Sequence, residues 1–432
     1  MKINVVFTLV FTLVLTHSFG QVKKSTKGTF ALTNATIETV TKGTVSGTLI
    51  ISEGKITALG SNVTIPSGAN VIDCKGMFIY PGMIDGGTQL GIVEVSSISL
   101  TDDSDELGEL TPHMEAITAF NTSATAVSVT RVDGITTTLV VPQGGLFPGT
   151  ASLVNLVGYT PDQIYAGFKG VVLNFPGAGR RGFWDRRTDE ELKKEEEKAL
   201  KQLNDVWTEA LYYVQVTDAA AKDPSIKVAS NPEMARIAEV IRGKMTLLIE
   251  TNKSSDIEAA IKWAQDKKVA KVVLTGVAEG WRVADKIAKS GFPVITGPII
   301  ALPTRESDNY DKAYANPGIM SKAGVKVAIR TNDQENVRNL PFHAGFAAAY
   351  GMSKEDALKS VTIVPAEIFG VADKLGSLEV GKLASIMVTT GDPLEPKTQI
   401  KYLFIDGWIV PLDSRHIQLY EEFLNRSPGL KK

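Results

Sequence analysis

Two carboxylates, Glu250 and Asp333, stand where they could do acid–base chemistry. Glu250 closes the apolar run Thr246–Glu250, and Asp333 follows shortly after the apolar run Val325–Ile329. When burial separates the pKa values of two such groups, one can act as general acid and the other as general base. The sequence therefore offers both as candidate catalytic residues. The alternative is that they only pack a polar interior and take no part in chemistry.

Four polar residues at comparable positions could bind a substrate. They are Gln89, Thr275, Arg330 and Asn332. Glu279 could also lie near the two carboxylates. Covalent catalysis has no good candidate, because the chain lacks a Gly-x-Ser-x-Gly motif and its one cysteine, Cys74, precedes all of these positions.

Apolar strands alternate with helical stretches from Met77 onward, which indicates βα units around a parallel sheet. Seven segments are predicted strands: Met77–Ile84, Thr136–Val141, Gly170–Leu173, Thr246–Glu250, Val272–Thr275, Val294–Thr296 and Val325–Ile329. Ser152–Leu156 is a weaker candidate for an eighth. Such units fit a (β/α)8 barrel, whose mouth is the end where the carboxyl ends of the strands lie. A doubly wound sheet is the alternative.

Both ends of the chain read as short β-branched strands broken by glycine and asparagine. We predict that residues 29–76 and 374–412 form one discontinuous β-sandwich domain, and that residues 77–373 form the barrel. Asp406-Gly407 predicts a tight hairpin turn. A charged stretch with apolar residues at helical spacing predicts a long amphipathic helix over residues 187–215, on the outside of the barrel.

The composition is ordinary for a soluble globular protein, with 43% hydrophobic and 22% charged residues. A formal net charge of -2 gives no reason to expect nucleic acid or an anionic membrane as a partner. The chain has only four histidines, so a multi-histidine metal site has little material to use. A single cysteine excludes an intrachain disulfide.

The first 20 residues have the pattern of an export signal. Lys2 supplies the positive start, Ile3–Thr16 is strongly apolar, and small residues precede the expected cleavage between Gly20 and Gln21. The alternative is a buried N-terminal strand. No later segment is apolar enough to span a bilayer, so we expect a periplasmic or secreted protein after cleavage.

The segment Met77–Gly91 contains Pro-Gly-Met-Ile-Asp-Gly-Gly-Thr-Gln. It resembles the first barrel strand of the metal-dependent amidohydrolase superfamily, which carries Pro-Gly-(apolar)-Ile-Asp-x-His-x-His there. The loop Gln143–Gly149 is similar to one in the imidazolonepropionase-related branch. The resemblance implies a TIM-like barrel with a small second domain. It also implies a divalent metal such as zinc, held at the mouth to activate water.

Residues other than histidine stand at the family's histidine positions: Gly87 and Gln89 after strand 1, Glu250 after strand 5, and Thr275 or Gly276 after strand 6. The strand 8 aspartate, which serves the family as general base, corresponds to Asn332 or Asp333. We therefore predict no metal site and no cofactor. The alternative is a hard cation such as Ca²⁺ or Mg²⁺, held loosely by the carboxylates and the Gln89 amide.

Two functions follow from the resemblance and from this departure. The first is an exported hydrolase of non-peptide C–N bonds, such as amides or cyclic amides, with a degenerate metal site. The second is a pseudoenzyme, a non-catalytic barrel that binds a small molecule at its mouth or serves as a partner protein. Its partner would be a second copy of the chain or an active paralogue.

Overall fold

The structure is a computed structural model that describes residues 25–177 and 186–428 of the 432-residue chain. The predicted signal peptide, residues 1–20, and its cleavage point before Gln21 lie outside the described residues. Two sheets organise the described part. One is built from the middle of the chain and the other from both ends.

The strands are β1 (Thr26–Lys27), β2 (Phe30–Glu38), β3 (Thr44–Ser52), β4 (Lys55–Gly60), β5 (Asn70–Asp73), β6 (Phe78–Pro81), β7 (Met83–Thr88), β8 (Ile135–Val140), β9 (Gly149–Asn155), β10 (Tyr165–Asn174), β11 (Thr246–Thr251), β12 (Val272–Gly276), β13 (Val294–Thr296), β14 (Val327–Ile329), β15 (Ile386–Thr389), β16 (Ile400–Ile405) and β17 (Trp408–Val410). The helices are α1 (Ala116–Ala119), α2 (Thr125–Arg131), α3 (Pro161–Ile164), α4 (Asp189–Ala220), α5 (Pro232–Ile241), α6 (Ser254–Asp266), α7 (Ala284–Ser290), α8 (Lys312–Lys322), α9 (Leu340–Ala349), α10 (Lys354–Lys359), α11 (Ile363–Ile368) and α12 (Arg415–Leu424). Short 3₁₀ helices cover Ser99–Thr101, Gly280–Arg282 and Val337–Asn339.

The eight-stranded sheet has the order β14-β13-β12-β11-β10-β9-β8-β7. Neighbouring strands are parallel except at β9, which runs antiparallel to both β8 and β10. The weaker prediction at Ser152–Leu156 is thus a strand of this sheet, but the prediction of only βα units is wrong there. Residues 141–148 join β8 to β9, too few for a parallel crossover, which needs a dozen or more.

The outer strands β14 and β7 meet at the mouth and nearly close the sheet into a barrel. The backbone N–H of Asn332 donates to the carbonyl of Gly87 at 3.0 Å, and that of Gln89 donates to the carbonyl of Asp333 at 3.2 Å. The Thr88 hydroxyl donates to the same carbonyl. A barrel-like α/β fold is therefore confirmed, with the reversed β9 as its departure from eight βα units.

Met77–Ile84, predicted as one strand, is two strands that belong to different sheets. β6 pairs with β15 and β2, whereas β7 pairs with β8. The change happens at Gly82, whose backbone N–H donates to the carbonyl of Ser385 at 2.9 Å. Only glycine fits there, because a Cβ would lie 2.2 Å from Cγ2 of Thr136. The apolar run hides this crossing because both strands are buried.

The second sheet joins both ends of the chain in nine strands, with the order β1-β17-β16-β15-β6-β2-β3-β4 and β5 added on β2. Phe30, Leu32 and Phe404 share its core with buried Cys74. The predicted turn is confirmed, since β16 pairs Ile405 with Trp408 of β17 across Asp406-Gly407, both at positive φ. That these strands form a sandwich domain stays a prediction.

The long helix α4 extends five residues further than predicted, to Ala220 rather than 215. A capping box at Thr188 and Glu191 starts it, and Leu203, Trp207 and Ala210 are its buried residues. These pack in one cluster with the outward residues of β10, β11 and β12. None of the helices within residues 25–177 and 186–428 is both long and apolar enough to cross a membrane.

Candidate functional site

Strand periodicity places the candidate residues at the mouth. Leu248, Val273, Ile295 and Ala328 share one buried cluster with a residue from each of the other four strands, which identifies that cluster as the barrel interior. Side chains alternate between the faces of a strand, so the residue two positions later faces the same way. Those residues are Glu250, Thr275, Gly297 and Arg330.

The Arg330 guanidinium crosses the mouth from β14 to β11 and forms a bidentate pair with Glu250. Nη1 donates to Oε2 at 2.9 Å and Nη2 donates to Oε1 at 2.8 Å. Nε donates to the carbonyl of Gly297, at the end of β13, at 3.3 Å. The Arg330 side chain is 4% exposed and that of Glu250 is 27% exposed. The two charges thus neutralise each other near the barrel axis.

Glu250 also accepts hydrogen bonds from two neighbouring side chains. The Thr275 hydroxyl donates to Oε2 at 2.7 Å, and the Asn252 amide donates to Oε1 at 3.2 Å. Burial works to raise the pKa of Glu250, but the charge of Arg330 and these hydrogen bonds outweigh it and hold that pKa below its ordinary value. A carboxylate in this state is a poor proton acceptor near neutral pH.

Asp333 and Asn332 have partners outside this pair. Oδ1 of Asp333 accepts the backbone N–H groups of Glu335 and Asn336, both at 2.8 Å, so it closes the turn before helix Val337–Asn339. Asn332 has φ 51°, a left-handed conformation that asparagine tolerates better than most residues. The structure therefore brings Glu250, Thr275 and Arg330 together and gives Asp333 a local role. That Glu250 and Asp333 act in catalysis stays a prediction.

Gln89 is 3% exposed and lies directly after β7. Its carbonyl accepts the backbone N–H groups of Ile92 and Val93, at 3.2 and 3.1 Å. The predicted substrate-binding residues thus lie at the mouth, where strands β7, β12 and β14 end. That they contact a substrate stays a prediction.

Asp85 is a buried acid that sequence reasoning did not single out, although it is the aspartate of the Ile-Asp-Gly-Gly segment. Its carboxylate accepts the Thr331 hydroxyl at 2.5 Å, the Thr331 backbone N–H at 3.1 Å and the Gly87 backbone N–H at 3.0 Å. Burial raises the pKa of Asp85 to about 6, although these hydrogen bonds act in the other direction. Asp85 therefore ties β7 to the end of β14.

The residues at the mouth do not fit a metal ion of the kind the resemblance implies. Within the described ranges, no three His, Cys, Asp or Glu side chains come together in a group that could hold one. The family's histidine positions lie at the ends of β7, β11 and β12. Glu250 is the one carboxylate among the residues at those positions, and Arg330 is bound to it. Zinc prefers imidazole and thiolate ligands, which these positions lack.

A cavity of about 120 Å³ lies beside the Arg330–Glu250 pair. Asn252 and Gly297, which contact the pair, also line the cavity, together with Trp281, Leu302 and others of the following loop. Among the described residues, the Asn252 amide donates once, to Glu250, and accepts once, from the backbone N–H of Ala278, which leaves it one N–H and one lone pair. Sequence reasoning missed Asn252, although it stands two residues after Glu250.

Glu279 fixes the loop over this cavity rather than joining the Glu250 site. The Arg305 guanidinium donates twice to the Glu279 carboxylate, with Nε–Oε1 and Nη2–Oε2 distances of 2.6 Å. Burial opposes ionisation, but the hydrogen bonds from Arg305, Thr304 and the Ser254 N–H prevail and lower the pKa of Glu279 to about 2. The cavity wall is thus held by a charged pair of its own.

Comparisons with known proteins agree with this architecture. The model of the amidohydrolase family matches residues 78–411. Amidohydrolase tasK of Hapsidospora irregularis is 21% identical over 84% of this chain, which spans only 39% of that protein's length. The crystal structure of an amidohydrolase from Thermotoga maritima superposes with a TM-score of 0.79 at 24% identity, covering 88% of this chain and 99% of that one.

Molinate hydrolase has the same fold with lower structural similarity. Its TM-score is 0.57 and its sequence identity 16%, over 89% of this chain and 95% of that one. At such identities a structural likeness shows the fold alone, whereas the family model covers most of the chain. The imidazolonepropionase-related branch stays a prediction. The chain belongs to the amidohydrolase family.

Proposed function

We propose that this barrel binds a small amide-like molecule at its mouth without metal-activated hydrolysis. One observation carries the proposal: a neutral Arg330–Glu250 pair stands at the strand ends, with a cavity of about 120 Å³ beside it. Amides pair well with the free N–H and lone pair of Asn252, because each supplies one donor and one acceptor. The cavity volume suits a ligand of few heavy atoms.

The test is a binding panel of small amides, lactams, imides and ureas, measured by calorimetry, with product formation followed in parallel. We expect one ligand bound per chain and no cleavage above the buffer rate. Asn252→Ala should weaken binding about tenfold, the loss of roughly one hydrogen bond. Asn425→Ala, at the end of α12, is the matched control and should bind like the wild type. Turnover of any panel member would overturn the proposal.

The second candidate is hydrolysis of non-peptide C–N bonds. Family membership favours it, and one structural relative is itself a hydrolase by name, molinate hydrolase. It would need Glu250 or Asp333 as a base, and the hydrogen bonds that Glu250 accepts from Arg330 and Thr275 oppose that role for Glu250. If cleavage is found, loss of activity in Asp333→Asn would support this candidate.

We propose in addition that the protein is exported and begins at Gln21 after processing. The support is the leader pattern in the sequence, from Lys2 to Gly20. N-terminal sequencing of the protein from the periplasm or medium tests it, and an intact Met1 in an intracellular fraction would refute it. Pairing with a second copy or an active paralogue remains a hypothesis, which light scattering of the purified protein would examine.

A further inference from the structure

We propose that Arg330 has replaced the family's metal ion as the fixed cation of the barrel mouth, and that residue 87 is glycine because the Arg330 side chain needs its space. The role of Arg330 as this cation does not depend on which ligand binds at the mouth.

The guanidinium has the position that such a cation requires. It comes from the end of β14 and contacts Glu250 at the end of β11 and the Gly297 carbonyl after β13. Thr275, at the end of β12, bonds the same carboxylate. Two of these residues, Glu250 and Thr275, stand at positions where the resemblance places metal ligands.

Glu250 has no acceptor position left for a metal ion. A carboxylate offers about four lone-pair positions. Oε1 accepts from Arg330 and Asn252, and Oε2 accepts from Arg330 and Thr275. A divalent ion would have to displace at least one of these donors and would also be repelled by the guanidinium. Both effects act against a metal at this place.

The space around Gly87 supports the proposal independently of the hydrogen bonds of Glu250. A Cβ at residue 87 would lie 3.1 Å from Cδ of Arg330 and 3.5 Å from Cγ2 of Val141. Gly87 is not among the residues with positive φ, so its backbone does not itself require glycine. The Arg330 side chain cannot easily give way, because its guanidinium is held by Glu250 and by Gly297. A side chain at residue 87 would therefore crowd the present Arg330 side chain.

A double-mutant cycle tests the steric claim without any metal. Gly87→Ala should lower the melting temperature by several degrees in the wild-type background. In the Arg330→Ala background, Gly87→Ala should leave the melting temperature unchanged or raise it, since Ala restricts the unfolded chain more than Gly. Should Arg330→Ala leave Glu250 unpaired and the protein unfolded, Glu250→Gln is added to all arms.

Gly86→Ala is the matched control. Its Cβ would meet Cγ2 of Ile295 at 2.6 Å and the Ile329 carbonyl at 3.1 Å, so its cost should be the same with and without Arg330. A Gly87→Ala effect of equal size in both backgrounds, or none in the wild type, would overturn the proposal.

Zinc titration of the full chain tests the cation claim. We expect no calorimetric binding by the wild type, and none by Gln89→His or Gly87→His/Gln89→His while Arg330 is present. One equivalent of zinc bound at micromolar or tighter affinity, by any of these proteins, would overturn the proposal. Zinc binding would not refute ligand binding at the mouth. Conversely, a panel in which no amide binds would refute the proposed function without refuting Arg330 as the cation of the mouth.

Discussion

Whether Glu250 could bind a metal ion or take a proton depends on how many of its hydrogen-bond acceptor positions are unoccupied. Sequence reasoning treated Glu250 and Asp333 as equivalent carboxylates at strand ends. In the structure the first is saturated by Arg330, Thr275 and Asn252, and the second closes a turn. The same residue type thus has two different surroundings: Glu250 accepts hydrogen bonds on both oxygens at the mouth, whereas Asp333 accepts two backbone N–H groups on Oδ1.

His343 makes the stability of the fold depend on pH. Its Nδ1 accepts the backbone N–H of Ile299 at 3.0 Å, and burial lowers the pKa of His343 from 6.5 to about 4, although Asp333 acts weakly in the other direction. The unfolded chain takes up a proton near pH 6.5 that the folded protein refuses. The stability that the neutral His343 contributes is therefore fully present above pH 6.5 and is lost as the pH falls toward 4.

We expect the free energy of unfolding to fall by about 1 to 2 kcal/mol between pH 6.5 and pH 5 on account of this imidazole. His343→Gln, whose amide oxygen can accept the same N–H, should remove that part of the slope in urea titrations. The buried Asp85 titrates in the same range, so only the difference between the two proteins counts. Exposed His416→Gln is the control. Identical slopes for His343→Gln and wild type would contradict the assignment.

Among the elements, the crossing at Gly82 separates the two sheets. The chain leaves β6 of the nine-stranded sheet and enters β7 of the barrel without an intervening loop. That is possible only because Thr136 of β8 packs against a residue with no side chain. The first barrel strand thus follows the second sheet directly, with Gly82 as the single residue between β6 and β7.

Gly82→Ala should lower the free energy of unfolding by about 1 to 3 kcal/mol, because the new methyl group would overlap Cγ2 and Oγ1 of Thr136, at 2.2 and 2.4 Å. Urea denaturation of the purified variant measures this. In Gly28→Ala the nearest atom lies 3.7 Å from the new Cβ, so this control should change stability by less than about 0.5 kcal/mol. Equal effects at both glycines would show that the crossing is not tightly packed.

On the scale of the whole molecule, the two ends of the chain complete one sheet. β15 and β16, from the C-terminal part, lie between β17 and β6, and β6 pairs directly with β2 from the N-terminal part. Ile386–Thr389 of β15 are all buried, and Phe404 of β16 is fully buried in the same core. The barrel is therefore joined to a sheet in which strands from both ends of the chain are neighbours.

A chain that ends after Thr398 should not fold cooperatively, because it lacks β16 and β17 and leaves one edge of buried β15 unpaired. Near-UV circular dichroism and dye binding to exposed apolar surface would show the loss. A chain that ends after Ser414 keeps all the strands and lacks α12, which has no buried residues, and the residues after it, so it should keep its native signal. Native behaviour of the shorter chain would contradict the role assigned to the last strands.

The sequence predicts the elements well where one physical pattern dominates. Short apolar runs that alternate with helical stretches identify most of the barrel strands, and three polar residues at or just after the ends of those runs, Glu250, Thr275 and Arg330, are indeed brought together. It fails at β9 and at Gly82, because a buried apolar run reads the same whether a strand is parallel, antiparallel or divided between two sheets.

By itself the sequence determined the family resemblance, the barrel-like fold and the replacement of the histidines by Gly87 and Gln89. Only the tertiary structure decided what those replacements mean. Arg330 lies 80 residues from Glu250 in the chain, and nothing local in either segment reveals that the two side chains meet. Long-range pairing of charges depends on how strands close around a common axis, and that geometry emerges only when the whole barrel has formed.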